Sequence, residues 1–311
     1  MGLSKPDFDA RAATYDVLRP QDDNWWELFE LVVREADLRG QRILDAGCGT
    51  GRLVAALAPQ ASVWGIDSSK EMLAVARKRV PASVKLKLAH AENPPFKESW
   101  FDRVVYWLVI HLLDRDTAFG AARRLLAPGG RACVVTFDPA YFSDFWLNRY
   151  FPRLEAIDRA RFPTGDELEH ELRGAGFVEV RLLGHHQRGR IDRETALAKI
   201  AGRHISTFDL LDDAEYEQGR RLAERSLPAT VEHETEWDGE AAQLRRRRLR
   251  LQRPDQGGHR GRGDGAGGGP REERPRPVRQ RPPGAGRRDP RRDPGRLDGA
   301  RPRVWHRDRA S

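Results

Sequence analysis

The chain has 311 residues, 39% hydrophobic and 33% charged, with a formal net charge of +8. Residues 241–311 hold 22 Arg, no Lys and 8 acids, so the basic character belongs to that stretch, and residues 1–240, with 33 basic and 39 acidic residues, are acidic. Two cysteines, Cys48 and Cys133, exclude a disulfide framework and point to a reducing cytoplasm. The longest apolar run, Val104 to Ile110, is far below the roughly 20 residues a membrane span needs, and the first residues carry no signal-peptide core.

Trp25, Leu28, Phe29, Val32 and Val33 recur at helical spacing and predict an amphipathic helix ending by Gly40. From residue 42 the pattern alternates. Ile43-Leu44 is a short apolar strand that runs into a Gly-rich turn, and Leu53, Val54 and Leu57 then mark a helix stopped by Pro59. Val63–Ile66 is the second strand, and Met72, Leu73 and Ala76 mark the next helix. Val84, Leu86 and Leu88 alternate with lysines, as expected of an edge strand, whereas Phe101–Ile110 is apolar enough to be buried on both faces. A helix with Phe119, Ala122 and Leu126 on one side leads through Pro128-Gly129-Gly130 to a strand at Ala132–Phe137. Strand–helix alternation of this kind predicts an α/β fold with a doubly wound, mostly parallel sheet. An aromatic linker follows (Tyr141 to Phe151), then a helix opened by the capping-box tetrad Thr164-Gly165-Asp166-Glu167. Further elements are expected as a strand at 177–183, helices near 193–201 and 213–225, and a strand at 231–237.

Composition changes abruptly near residue 240. Of the last 71 residues, 43 are Arg, Gly or Pro, which cannot bury enough apolar surface to offset the entropy of ordering, so disorder is expected for 241–311. Three readings stay open: an arginine-rich nucleic-acid arm, a solvated extension, or a frameshifted reading of GC-rich DNA, which the absence of Lys favours. In the last case the final strand would stop at Asp238-Gly239-Glu240 and leave a sheet edge exposed.

The residues with the clearest chemistry are Leu44-Asp45-Ala46-Gly47-Cys48-Gly49-Thr50-Gly51-Arg52, between a strand and a helix. Glycines allow a tight turn and a close ligand approach, and the free amides of the helix start favour a polar or anionic group. The nicotinamide fingerprint would want glycine where Arg52 stands. Asp45, two residues before Gly47, suits a cofactor that carries an ammonium group. Asp67 closes the second strand 20 residues after Gly47, where a carboxylate can accept both hydroxyls of a ribose.

With these residues, the stretch 42–137 resembles a class I S-adenosylmethionine-dependent methyltransferase of the small-molecule type found in ubiquinone and menaquinone biosynthesis. The matching segments are LDAGCGTGR (44–52), GIDSSKEMLAVAR (65–77), AHAENPPF (89–96), FDRVVYWLVIHLL (101–113) and LLAPGGRACVVTF (125–137). The lead-in Phe8–Asp16 and the segment through Ala175-Gly176-Phe177 extend the likeness to about residues 8–238. The resemblance implies a seven-stranded sheet whose last strand is antiparallel, within a methyltransferase domain of residues 1–240. That domain would comprise a helical lead-in (1–40), a cofactor-binding core (41–138) and a cap with the last strands (139–240).

It also implies site roles for individual residues. Gly47 and Gly49 would hold the methionine part of S-adenosylmethionine, Asp45 its amino group and Asp67 its ribose. Met72 would pack near the adenine, and His90, Ala91 and Glu92 would run along the adenine edge. His90 departs from the family's usual Asp, and an imidazole offers or accepts one bond there according to its tautomer. Tyr106 would line the pocket from the end of the fourth strand, and Tyr15 would close it from above. The activity implied is methyl transfer to a small-molecule acceptor by in-line displacement, with no metal and no membrane. His111, just past the fourth strand, is the first candidate for a general base, against a purely packing role. His204 could line the substrate pocket, as could the aromatics after the fifth strand, which could equally be cap core. Two rivals remain: an RNA methyltransferase guided by the basic tail, and a cofactor-binding protein without activity.

Overall fold

A computed structural model of the chain describes the backbone of residues 6–242 and the side chains of that span as far as His233. The readings of the Arg-rich stretch fall almost entirely outside the described residues. The N-terminal part forms two short helices, α1 (Phe8–Arg11) and α2 (Tyr15–Leu18), and the amphipathic α3 (Asp23–Glu35). The core then alternates β1 (Arg42–Ala46), α4 (Arg52–Leu57), β2 (Ser62–Asp67), α5 (Lys70–Arg79), β3 (Lys85–Leu88), β4 (Phe101–Trp107), α6 (Arg115–Leu125) and β5 (Leu126–Phe137). After two 3-10 turns the chain continues through α7 (Arg153–Arg161), α8 (Gly165–Gly174), β6 (Leu182–Asp192), α9 (Arg193–Ala201), α10 (Asp213–Ser226) and β7 (Thr230–Ala242).

The strands lie in the order β3-β2-β1-β4-β5-β7-β6. Strands β1 to β5 pair in parallel, and β7 runs antiparallel to both β5 and β6. The pleat explains why β4 and β5 read as continuous apolar runs. Val105, Cys133 and Val135 point into one layer with Leu28, Val33, Val54 and Ala76 from α3, α4 and α5. Val104, Tyr106, Ala132 and Val134 point into the opposite layer with Phe119, Ala122, Leu168 and Phe177. Order reverses between β1 and β4, whose following connections depart to opposite sides and open a crevice at their carboxyl ends, where ligands bind in such sheets. A third cluster, with Leu147, Phe151, Leu154, Ile200, Phe208 and Tyr216, forms a cap above that end.

Several expectations need correction. No strand forms at 177–181. Gly176 is left-handed (φ +91°), and the Phe177 amide donates to the Leu172 carbonyl at 3.0 Å, so Phe177 ends α8 and buries its ring beneath the sheet. The strand starts instead at Leu182, where exposed and half-buried residues alternate and hydropathy gives little signal. β4 stops at Trp107 because Leu108 adopts a left-handed backbone (φ +56°), and a 3-10 turn follows at Ile110–Leu112. The last strand does not stop at Trp237: its backbone pairs on through Glu240 to Ala242, opposite Ala132 of β5, so no edge of β5 is left open there. No helix among the described residues is long and apolar enough to cross a membrane.

Phe177→Ala is expected to cost about 3–5 kcal/mol of unfolding free energy, read from urea titration, because the site lies between α6, α8 and the sheet with little room to collapse. A loss below about 1 kcal/mol would contradict the anchoring role given to this ring.

Candidate active site

At the carboxyl end of β1 the chain turns through three left-handed glycines, Gly47 (φ +88°), Gly49 (φ +51°) and Gly51 (φ +75°). The amides of Gly47 and Cys48 both donate to the Ile66 carbonyl, at 2.9 and 2.8 Å, and fasten the loop to the end of β2. A Cβ on Gly47 would stand 2.6 Å from a Val109 methyl, whereas one on Gly49 would meet nothing within 4 Å. One glycine is thus required by packing, and the other borders open space that a ligand can enter.

Asp45 is 1% exposed, and its Oδ1 is buried with no hydrogen-bond partner. Burial, then the charge of Asp67, pushes its carboxyl pKa up to about 8. A partnerless carboxylate facing a glycine loop is the feature an ammonium group would complete, so the residues present fit the amino-acid end of S-adenosylmethionine. Asp67 accepts from the Gly49 amide at 2.8 Å and the Ser69 amide at 2.9 Å, and burial raises its pKa as well. Its carboxylate therefore ties the loop to the start of α5, with lone pairs left for hydroxyl donors. Ser69 caps α5 by accepting from the Met72 amide at 3.0 Å, and Met72 is buried in the first turn.

The His90–Glu92 turn joins this end of the sheet because the Ala89 amide donates to the Asp67 carbonyl at 2.9 Å. His90 is exposed, Ala91 is buried, and Glu92 accepts from the Asp114 amide at 3.3 Å. Tyr15 lies half-buried under the Arg19 guanidinium, 4.4 Å from the ring centre. Its neighbour Asp16 accepts from Thr50 of the glycine loop at 2.7 Å.

Tyr106 is not placed as the sequence suggests. It is 1% exposed, its hydroxyl donates to the Ala118 carbonyl at 2.7 Å, and its ring meets Phe119 edge-on. The pleat turns it into the α6 layer, away from the crevice. Val109 is the residue that faces the loop, and the sequence carries no signal for it, because its direction depends on the left-handed turn at Leu108.

His111, two residues past Val109, stacks on Phe162 with ring centres 4.0 Å apart and an interplanar angle of 16°. Its Nδ1 is covered and has no partner. Burial, then the charges of Arg161 and Arg19, hold its pKa well below the usual histidine value, so the ring is neutral. Phe162 continues into an aromatic wall with Phe142 (4.8 Å) and Phe137 (5.8 Å), and Phe137 stacks on Tyr141 (5.5 Å). His204 is held by its Nδ1 against the Lys199 carbonyl at 3.0 Å. A trough of about 700 Å³ lies elsewhere, between the β6–β7 ribbon and the turn at Tyr141 and Asp144, and contains neither the glycine loop nor His111.

The state of Asp45 has a measurable consequence. Its folded pKa of about 8 lies above the unfolded value near 3.9, so the folded chain holds an extra proton between those limits and loses stability as pH rises through them. Asp45→Asn removes the group. Its stability advantage over the natural chain, from urea unfolding, is expected to grow from about pH 4 to about pH 8 and then level off. A difference independent of pH would show that Asp45 is ionised throughout.

Comparison with known proteins agrees with this geometry. Residues 43–130 match the model of a methyltransferase domain family. The chain is 31% identical over 214 residues to a demethylmenaquinone methyltransferase of Symbiobacterium thermophilum, covering 56% of this chain and 84% of that protein. It is 31% identical over 201 residues to the ubiquinone/menaquinone biosynthesis C-methyltransferase UbiE of Desulfotalea psychrophila, covering 56% and 81%. Among solved structures, a protein of Anabaena variabilis named as a methyltransferase from an antibiotic biosynthesis pathway shares the fold, with a TM-score of 0.57 at 22% identity over 70% of this chain and 96% of that one. An unpartnered carboxylate beneath a three-glycine turn, a second carboxylate closing β2, and these relatives together place the chain in the family of class I S-adenosylmethionine-dependent small-molecule methyltransferases.

Proposed function

We propose that this protein methylates a small hydroxylated aromatic acceptor, with His111 as the group that receives the acceptor's proton. One observation carries the reading: a neutral imidazole with a covered, partnerless Nδ1 stands in an aromatic wall, two residues from the Val109 that packs on Gly47. A planar ring is the shape such a wall selects, since aromatic faces and edges pair favourably at these separations. One relative at 31% identity is named for the methylation of demethylmenaquinone.

S-adenosylmethionine supplies a methyl group already activated by its positively charged sulfur. The protein's task is therefore alignment and exclusion of water. Asp45 would take the ammonium group, Asp67 the ribose hydroxyls, and the open side of Gly49 the methionine chain. Met72 and the His90–Glu92 turn would bound the adenine, and Tyr15 would cover the site from the lead-in. His111 would accept the hydroxyl proton as negative charge develops on the acceptor. Cys48 and Cys133 are both buried and unbridged, which supports a cytoplasmic setting.

The test is a panel of phenols, hydroquinones, aliphatic amines and RNA incubated with S-adenosylmethionine, followed by S-adenosylhomocysteine release. Turnover is expected with the hydroxylated rings; turnover confined to amines or RNA would overturn the assignment. On an active acceptor, His111→Gln is expected to lower kcat about 100-fold or more, with the affinity for S-adenosylhomocysteine unchanged. A fall in that affinity with kcat intact would make His111 a packing residue instead.

A further inference from the structure

Residues 8–19, FDARAATYDVLR, sort their charges by partner. The acids reach the cofactor side. Asp9 accepts from Ser69 Oγ at the start of α5, and Asp16 accepts from Thr50 Oγ1 at 2.7 Å and from the Arg79 guanidinium. The arginines reach the other way. Arg11 donates through Nε to Asp209 at 2.8 Å and through its terminal nitrogens to the carbonyls of Arg203 and Ile205, at 2.5 and 3.1 Å. Arg19 donates to the His204 carbonyl, and Leu18 packs where a Cβ on Gly202 would stand, 2.5 Å from its Cδ1.

Both α1 and α2 are four residues long, too short to hold themselves in water, so these contacts decide where the segment lies. The loop they grip on the cap side, 203–209, borders the surroundings of His111. Arg161, the neighbour of Phe162, donates to Thr207 Oγ1 at 2.9 Å and Ser206 Oγ at 3.2 Å, and Thr207 donates to the buried Asp158 at 2.6 Å. One strap therefore joins the glycine loop to the proposed acceptor wall, with anchors to the two sides alternating along it and Tyr15 next to Asp16.

We propose that Asp16 and Arg11 are positioning residues for the methyl transfer: the strap they anchor locks the cofactor loop and the 203–209 loop together, and release of either anchor frees the strap and lets the cofactor leave. The proposal rests on the cofactor site at Gly47–Gly51 and the acceptor space beside His111. Its distinctive consequence concerns Arg11, whose side-chain hydrogen bonds go to the cap side and none to the glycine loop. A purely local role would leave cofactor release untouched when Arg11 changes.

The experiment is a chase of bound tritiated S-adenosylmethionine by unlabelled S-adenosylhomocysteine, on the full chain and its Asp16→Asn, Arg11→Gln and doubly substituted variants. Arg153→Gln, which removes an exposed pair with Glu215, serves as the control. Each strap substitution is expected to speed release about fivefold to tenfold, and the double variant no more than the faster single, because one released end frees the strap. Release from Arg11→Gln at the natural rate, or a double effect equal to the product of the singles, would overturn the coupling. Unfolding scans without ligand show whether each variant is folded; if Arg11→Gln is not, Arg11→Lys carries the test, with an intermediate rate expected and the natural rate overturning it. Binding to the natural chain that is lost in Asp67→Ala confirms the underlying site. Absence of binding to the natural chain would remove that site reading instead of the strap.

Discussion

Two carboxylates stand at the carboxyl ends of adjacent parallel strands, Asp45 on β1 and Asp67 on β2, and the protein neutralises neither with a side-chain cation. Asp67 is held by two backbone amides, while Asp45 keeps a buried oxygen without any partner. A carboxylate in that state raises the free energy of the folded chain unless it is protonated or meets a cation. The glycine loop leaves β1 directly after this acid, Val109 closes on Gly47, and Asp67 ties the loop to the start of α5. Burial and the neighbouring Asp67 charge keep the Asp45 carboxyl protonated up to about pH 8, and in the proposed function an ammonium-bearing ligand would stabilise its ionised form.

The rest of the structure keeps that arrangement intact. Apolar layers on both faces of β1, β4 and β5 exclude water from beneath the loop, and the fully buried Leu44, Ile66 and Val105 leave the strand ends no freedom to splay. The reversal of strand order between β1 and β4 opens the crevice at the point where Asp45 emerges. Past that point β4 does not continue straight. The left-handed Leu108 turns the chain so that Val109 meets Gly47 and His111 meets Phe162. A single strained residue thus relates the cofactor loop to the proposed acceptor wall, in keeping with the tendency of strained backbone to collect at functional positions.

The cap contributes a different kind of order. Its core is aromatic, with Phe151, Phe208 and Tyr216 in mutual contact, and its polar connections run through arginines to backbone carbonyls and hydroxyls. Guanidinium groups suit this use because their rigid forks satisfy several acceptors at once without needing a carboxylate for each. The same property lets Arg11 and Arg19 bind an irregular loop that presents mostly main-chain oxygens.

The α/β alternation, the two carboxylates, the three glycines and the capping box at Thr164 were legible from residue order because each is a local matter of hydrophobic period, turn chemistry or spacing along one strand–turn–helix unit. Asp45 and Asp67 could be paired in advance because parallel register brings consecutive strand ends together. Tyr106 could not be placed, since one residue of pleat decides between the crevice and the α6 layer, and β4 is apolar on both faces. The start of β6 was hidden because its side chains alternate between exposed and half-buried rather than polar and apolar. Val109, the stacking of His111 on Phe162 and the strap from Arg11 to loop 203–209 join positions far apart in the chain or depend on one unusual backbone angle. Sequence by itself determined the fold class and the glycine loop, whose causes are local. Only tertiary structure decided what faces that loop and what closes it, because those contacts arise from elements packing together across the cap.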